Sequence, residues 1–355
     1  MAQREGTLAH LTDIALISLA TTPGLVRSDA AFAQLIRDCG ATCAVVPVRI
    51  GPEGRLRRHP ALTDVVESIA ARRARPPAAR AIVFSTTTAA LLARPSAPFA
   101  VRFDATAALN RPPGWASAWQ RARERDVLRR ARLLLPVSDA AARALPDPHA
   151  PVVRVPIPVD EVGPGRAGER DIAATTYAGY PRKRGLELVC AAWAEARPPG
   201  ATLVVGGTDR AKALRWLERA GVPEPDGVEY AGMMPRADWL ATVARSSVFV
   251  NASRWEDYGV AQFEALAAGT PVASVPSPGQ FEALPLLREL APELVTSALD
   301  AAQLAGAVRA ALGWDDARRE RYAARARALL VPYRPAAIRD TVARQVLPAL
   351  GVAPR

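Results

Sequence analysis

Two glutamates eight residues apart, Glu256 and Glu264, stand on either side of Gly259 in the stretch Val248-Phe-Val-Asn-Ala-Ser-Arg-Trp-Glu-Asp-Tyr-Gly-Val-Ala-Gln-Phe-Glu-Ala-Leu-Ala-Ala-Gly-Thr-Pro-Val272. An apolar run ends near Asn251, a loop carries Glu256 and Gly259, and a helix is expected from Val260 to Ala268, stopped by Gly269 and Pro271. Both carboxylates then face the end of a strand. Between them lie the first N–H groups of the helix, which have no intrahelical acceptor and so favour an anion. Carboxylates accept from paired hydroxyls. A ligand that is hydroxyl-rich at both ends and anionic in the middle fits this order of groups: sugar, diphosphate, ribose. Taken singly, Glu264 reads equally as a solvated helix residue and Glu256 as a loop acid; the strand–loop–helix–Gly-x-Pro frame carries the functional reading.

A second cluster lies upstream. Tyr177-Ala-Gly-Tyr-Pro-Arg-Lys-Arg-Gly185 sets Arg182, Lys183 and Arg184 in a row after a short apolar run. Both cation types bind phosphate, arginine as a fork and lysine as a point charge. The alternative is a solvated turn before a helix. Lys183 and Lys212 are the only lysines among 46 basic residues. A cation exposed in a cleft adds to charge stabilisation, so Arg184 is expected to matter more for turnover than for folding. Gly206-Gly207 is not a Gly-x-Gly-x-x-Gly fingerprint, so nicotinamide binding has no support. Three cysteines (Cys39, Cys43, Cys190) and three scattered histidines (His10, His59, His149) give neither a disulfide framework nor zinc spacing. No metal site and no cofactor are expected.

These groups need elements to hold them. Short apolar runs alternate with helical patterns along the whole chain. In the first half strands are expected at Ile14–Leu19, Thr42–Val48, Ala81–Ser85, Pro98–Phe103 and Arg132–Val137. Helices are expected at Ser28–Cys39, Thr63–Arg73 and Ser117–Arg130, with Ser138 as the cap of another. Pro151–Arg170, with Pro156, Pro158, Gly163, Pro164, Gly165 and Gly168, reads as a linker. Alternation restarts beyond it, with strands at Ala174–Tyr177, Thr202–Val205, Val228–Ala231, Val248–Asn251 and Pro271–Ser274 and helices at Leu186–Ala196, Arg210–Ala220, Asp238–Arg245 and Val260–Ala268. Strands separated by helices imply parallel sheets covered on both faces. The length of 355 residues exceeds what one core of about 250–300 holds, so two α/β domains facing a cleft are expected.

Half of the residues are hydrophobic and 23% are charged, which excludes a mostly disordered chain. No apolar run reaches the roughly 18–20 residues of a membrane span. Ile14–Ala20 is too short for a signal core and leads into Thr21-Thr22-Pro23-Gly24 with no small-x-small site, so it reads as a buried strand. A cytoplasmic location is expected. The net charge is +11; residues 1–160 carry 22 arginines against 13 acids, a balance of +9, and the rest carries +2. Nucleic acid is a poor partner for this charge, because aromatics are 6% and no basic run interleaves with them. An anionic or membrane-associated partner for the first half is expected, with Arg72, Arg73, Arg75 and Arg121–Arg132 as patches and the inner membrane face as its place; compositional arginine bias is the alternative.

The 248–272 segment resembles the donor-binding signature of the family 4 glycosyltransferases, retaining enzymes of the GT-B fold. Their pattern is a strand, Pro-Ser-x-x-Glu, an aromatic-Gly pair, a second Glu eight positions after the first, and a small-residue helix ending Gly-x-Pro-Val. Here stand Ala252-Ser253-Arg254-Trp255-Glu256, Tyr258-Gly259, Glu264 and Ala268-Gly269-Thr270-Pro271-Val272, without the Pro before Ser253. The resemblance implies that Glu256 meets the donor sugar, that Glu264 meets the ribose, and that backbone amides at Tyr258, Gly259 and Val260 contact sugar and phosphate. Tyr177–Gly185 resembles the family's Gly-Arg followed by Lys-Gly, whose two cations hold the diphosphate. Arg184 occupies the Lys position and Tyr180 the Arg position, which shifts the clamp toward Arg182 or Lys183. Leu203-Val-Val-Gly-Gly207 resembles the strand ending in Gly. Tyr230-Ala-Gly-Met-Met-Pro235 resembles the segment near the base and brings in Met233. Gly279-Gln-Phe-Glu282 resembles the loop after the last signature strand. In the first half the match is one of outline: Gly24 fits the family's first loop, and Asp104 stands where many relatives place a His. Asp104 implies a different acceptor, a different bond to the donor sugar or lost activity; otherwise it only caps the loop.

The expectation is therefore a GT-B architecture of two Rossmann-like domains facing a central cleft. The first domain, 1–160, lies on the acceptor side, the second, 161–330, binds the donor, and a helix at 331–355 crosses back onto the first. The expected reaction moves a sugar from a nucleotide diphosphate sugar with retention and without metal, the leaving phosphate itself taking the acceptor proton. Two rivals stand beside it: a glycoside hydrolase or sugar-nucleotide epimerase using the carboxylates as acid and base, and a non-catalytic nucleotide-sugar-binding protein of the same fold.

Overall fold

The computed structural model describes residues 11–58, 60–111, 114–145, 148–162 and 170–353. His10, His59 and the linker residues Gly163, Pro164, Gly165 and Gly168 lie outside them. The chain divides into two units, Met1–Pro158 with Pro335–Arg355, and Val159–Arg334. The divisions fall at Pro158 and Arg334 rather than at 160 and 330.

The first unit holds a five-stranded parallel sheet, ordered β2-β1-β3-β4-β5. Its strands are β1 (Thr12–Ser18), β2 (Cys43–Pro47), β3 (Ala79–Phe84), β4 (Phe99–Phe103) and β5 (Leu133–Pro136). Successive side chains of a strand point to opposite faces, and here both faces are covered. Ile14, Leu16, Val83 and Leu135 pack with Phe32, Leu35 and Ile36 of the Pro23–Asp38 helix. Ile338, Val342, Val346 and Leu347 from the C-terminal residues complete the same core. Ala15, Ile17, Phe84, Val101 and Leu134 pack on the other face with Val127 and Leu128 of the Trp115–Arg130 helix. The return to this unit begins at Pro335; Val331–Arg334 belong to the second unit.

Two expectations for the first unit are corrected. The helix expected from Ser28 begins at Pro23, because Thr22 caps it, accepting from the Leu25 N–H at 3.2 Å, with Pro at its first position. Gly24 therefore sits in the first helical turn and not in a loop. Pro151–Val155 is not linker: Val152 pairs with Leu134, and the Val153 and Val155 N–H groups donate to the Leu134 and Pro136 carbonyls at 2.9 Å.

The second unit repeats the plan. Its parallel sheet has the order β10-β9-β6-β7-β8. The strands are β6 (Ile172–Tyr177), β7 (Leu203–Gly206), β8 (Val228–Gly232), β9 (Ser246–Asn251) and β10 (Val272–Ser274). In both sheets the strand order reverses direction beside the first strand of the unit, β1 or β6, where open α/β sheets bind ligands beyond the strands' carboxyl ends. Among the described residues no helix is long and apolar enough to cross a membrane.

Candidate active site

At the carboxyl ends of β6 and β9 two loops of the second unit meet. From β6 the chain runs through Ala178, Gly179 and Tyr180 into one helical turn, Pro181–Arg184, which Gly185 ends at φ +60° before the Leu186–Ala196 helix. From β9 it runs through Ser253 and Glu256 to Gly259, whose φ of +91° turns the chain into the Val260–Ala267 helix. The Arg254 N–H donates to the Lys183 carbonyl at 2.8 Å, tying the loops backbone to backbone.

The three cations are held differently. Arg184 turns into the protein: its side chain is 23% exposed, and it pairs with Glu256, which is 6% exposed. It also donates to Ser253 Oγ at 3.3 Å and lies 5.8 Å from the Tyr177 ring centre. Lys183 is exposed, 3.9 Å from Asp257, and Arg182 is exposed. A cation absent from the sequence-derived set joins them. Lys212, in the first turn of the Arg210–Ala220 helix, donates to the Gly179 carbonyl at 2.9 Å and sits 5.5 Å from the centre of the Tyr180 ring. Its one signal was its residue type, as one of two lysines.

Glu256 is held by its surroundings. Ser253 Oγ lies 3.3 Å from its carboxylate and donates to Asn251 Oδ1 at 2.8 Å; Asn251 donates in turn to Ser274 Oγ at 2.9 Å. The Gly279–Glu282 loop lies directly on it, with the Phe281 N–H donating to the Glu256 carbonyl at 3.1 Å. At Gly259 a Cβ would lie 2.9 Å from the Phe281 ring, so only glycine fits this turn. Tyr258 is buried, its ring 5.0 Å from Phe263, which stacks 4.7 Å from Tyr333. Val260 is half-buried at the start of the helix.

Glu264 is 5% exposed. One oxygen pairs with Arg236 and the other accepts from Trp239 Nε1 at 2.8 Å. Arg236 also reaches Asp160 at 2.9 Å. Burial works against the Arg236 charge, but Glu264 and Asp160 outweigh it and hold its pKa above the ordinary arginine value. Gly207, at φ +86°, lies against Tyr177, whose ring a Cβ would approach to 2.6 Å. Met233 is 70% exposed, just beyond Gly232 at the end of β8.

Gly24 and Asp104 belong to the first unit. Asp104 is exposed just past β4. The pKa of Arg111 is raised chiefly by its hydrogen bonds to Asp64, with Asp104 adding to the same effect. Beside Asp104 lies a buried group that sequence reasoning missed. Arg102 donates to Ser28 Oγ at 2.8 Å and pairs with Asp29 at 3.4 Å, and Ser18 donates to Asp29 at 2.5 Å. Burial pushes the Asp29 carboxyl up, against the pull of Arg102.

Among the described residues no group of three or more His, Cys, Asp or Glu is placed to hold a metal ion. Cys39 and Cys190 are buried, Cys43 is half-buried, and burial pushes the Cys43 and Cys190 thiols up to about 11 and about 12. His149 is exposed.

Residues 171–313 match the family model described as glycosyl transferases group 1. A search of curated proteins finds no match. Among solved structures the chain is similar to sucrose-phosphate synthase from Thermosynechococcus elongatus, at 17% identity and a TM-score of 0.67, over 95% of this chain and 100% of that one. It is similar to Anabaena Alr3699/HepE in complex with UDP and glucose, at 16% identity and 0.64, over 94% and 99%. A glycosyltransferase from Rickettsia africae ESF-5 matches at 12% identity and 0.66, over 96% and 99%. The chain thus has the GT-B fold of the glycosyltransferases, and its residues 171–313 carry the match to the glycosyl transferases group 1.

Proposed function

We propose that this chain is a family 4 glycosyltransferase that moves a hexose from a nucleotide diphosphate sugar to an acceptor with retention at the anomeric carbon and without a metal ion. The observation that carries this reading is the pair Glu256 and Glu264, both buried, each paired with its own arginine, on either side of the glycine-started helix. The matched Anabaena protein, which was crystallised with UDP-glucose, supports a donor of this class.

In this reading Glu264 accepts from the ribose hydroxyls and Glu256 from the sugar. The diphosphate lies at the first N–H groups of the Val260–Ala267 helix, where the helix dipole favours an anion. The exposed cations Arg182, Lys183 and Lys212 stabilise the charge that develops on the leaving diphosphate. Arg184 acts one step back, fixing Glu256. Gly207 and Met233 line the nucleotide side, at the ends of β7 and β8.

Calorimetry and nucleotide release with a panel of nucleotide sugars test the reading. One donor is expected to bind, to release its nucleotide, and to give a product of the donor's own anomeric configuration by NMR. Tight binding without release would make the protein a nucleotide-sugar-binding module. Inversion would remove the family 4 mechanism.

The acceptor is proposed to be anionic or carried on an anionic membrane surface. On the Trp115–Arg130 helix Arg121, Arg125 and Arg129 recur every four residues along one side, while Trp119, 37% exposed, shares the other side with Arg123 and Arg130, which pair with Asp126. Each basic residue near such a surface adds about 1 kcal/mol, screened over about 10 Å at 0.1 M salt. The chain is expected to co-sediment with anionic vesicles at low salt and not at high salt. Equal binding to neutral vesicles, or none to either, would leave a soluble acceptor.

A further inference from the structure

The carboxylate of Glu264 is gripped on both oxygens by one neighbouring helix. Arg236 is the first residue of the Arg236–Arg245 helix and Trp239 follows one turn later, so both side chains leave the same helical face. Arg236 takes one oxygen and Trp239 Nε1 the other. Neither donor is loose. The guanidinium is anchored at its far side by Asp160, and the indole is fixed between Tyr177 and Phe249, at ring distances of 5.5 and 6.3 Å. The indole also closes over β7, where a Cβ on Gly206 would stand 2.6 Å from it. A buried carboxylate held at both oxygens by two fixed donors has one plane and one rotamer, and the direction in which it accepts from a diol is fixed with it.

We propose that Arg236, backed by Asp160, is the positioning residue that sets Glu264 for recognition of the nucleotide's ribose diol. The proposal rests on the reading of Glu264 as the ribose acceptor and adds the group that aims it. Arg236 is not itself a catalytic residue in this scheme; it acts through Glu264.

The readout is discrimination, not affinity. UDP, GDP and ADP are compared with their 2′,3′-dideoxy forms by calorimetry, and the ratio of dissociation constants is taken for the base that binds best. The wild-type ratio is expected to be on the order of 10- to 100-fold, as for hydroxyls bonded to a charged acceptor. Glu264→Gln and Arg236→Met should both collapse it, and Arg236→Lys should restore part of it. A wild-type protein with no discrimination removes the ribose reading itself. Discrimination lost in Glu264→Gln but kept in a folded Arg236→Met overturns the positioning role and leaves the ribose reading standing. Asp160 is exposed, so Asp160→Asn leaves the core intact and decides the matter if Arg236→Met fails to fold. A reduced ratio in Asp160→Asn supports the proposal, and an unchanged ratio in both Asp160→Asn and Arg236→Lys overturns it.

Discussion

Arg184→Met is expected to lower the stability of the second unit by about 3–5 kcal/mol, the usual cost of removing one partner of a buried ion pair. Glu256, 6% exposed, would lose that counter-charge and keep the neutral Ser253 hydroxyl at 3.3 Å. In the proposed function, turnover of a nucleotide sugar is expected to fall by about 10²–10³, because Glu256 loses the geometry assigned to it for meeting the sugar. This departs from the expectation that an exposed cation at this position would affect turnover more than folding. The reason is the direction of the side chain, which points back onto the 252–256 loop. The double variant Arg184→Met, Glu256→Gln separates the two effects. A neutral amide needs no counter-charge, so most of the lost stability should return while turnover stays low. Chemical denaturation with donor turnover on the same samples checks this. A single variant as stable as wild type would mean that the pair contributes nothing to folding, and recovered turnover in the double variant would reduce Arg184 to a structural prop.

The elements that sequence reading placed best carry local signals. The Arg210–Ala220 helix was legible to the residue because Asp209 caps its start, accepting from the Lys212 N–H at 2.8 Å, and Gly221 ends it at φ +68°. The first helix has two local start signals, Thr22 with Pro23 and Ser28 with Asp29, and only the first of them caps it. Ser28 and Asp29 look like the start of a helix, yet their side chains serve Arg102, more than seventy positions away. No window of local sequence contains that partner.

The same division runs through the site. Glu256, Gly259 and Glu264 were legible because strand, turn and helix start lie within one short stretch. Their arginines were not. Arg184 reaches Glu256 across 72 positions and Arg236 reaches Glu264 across 28. In a chain where all but two of the 46 basic residues are arginine, residue type marks neither of them. Charge counted along the sequence also misses pairing: Arg182, Lys183 and Arg184 are consecutive, yet one is committed to a buried carboxylate and two remain in solvent.

Gly185→Ala is expected to be the most damaging single methyl in the second unit. Two costs add. The first is conformational: at φ +60° a residue with a Cβ pays about 1–2 kcal/mol. The second is contact: the new Cβ would fall inside the Ala252 carbonyl oxygen, a backbone atom that cannot rotate away. Relieving it requires the Pro181–Arg184 turn and the 252–256 loop to part, and the Arg254-to-Lys183 backbone bond and the Arg184–Glu256 pair both span that seam. Gly221→Ala supplies the control. Its φ is +68° and nothing lies within 4 Å of the added Cβ, so it pays the conformational cost alone. The difference in unfolding free energy between the two variants measures what the close approach of the loops contributes. It is expected to reach about 3 kcal/mol or more, since the pair-breaking cost is included. Nucleotide-sugar turnover should collapse in Gly185→Ala and persist in Gly221→Ala. Equal losses of stability with turnover intact in both would mean that the two loops can separate without harm, and the candidate site would no longer depend on their being joined.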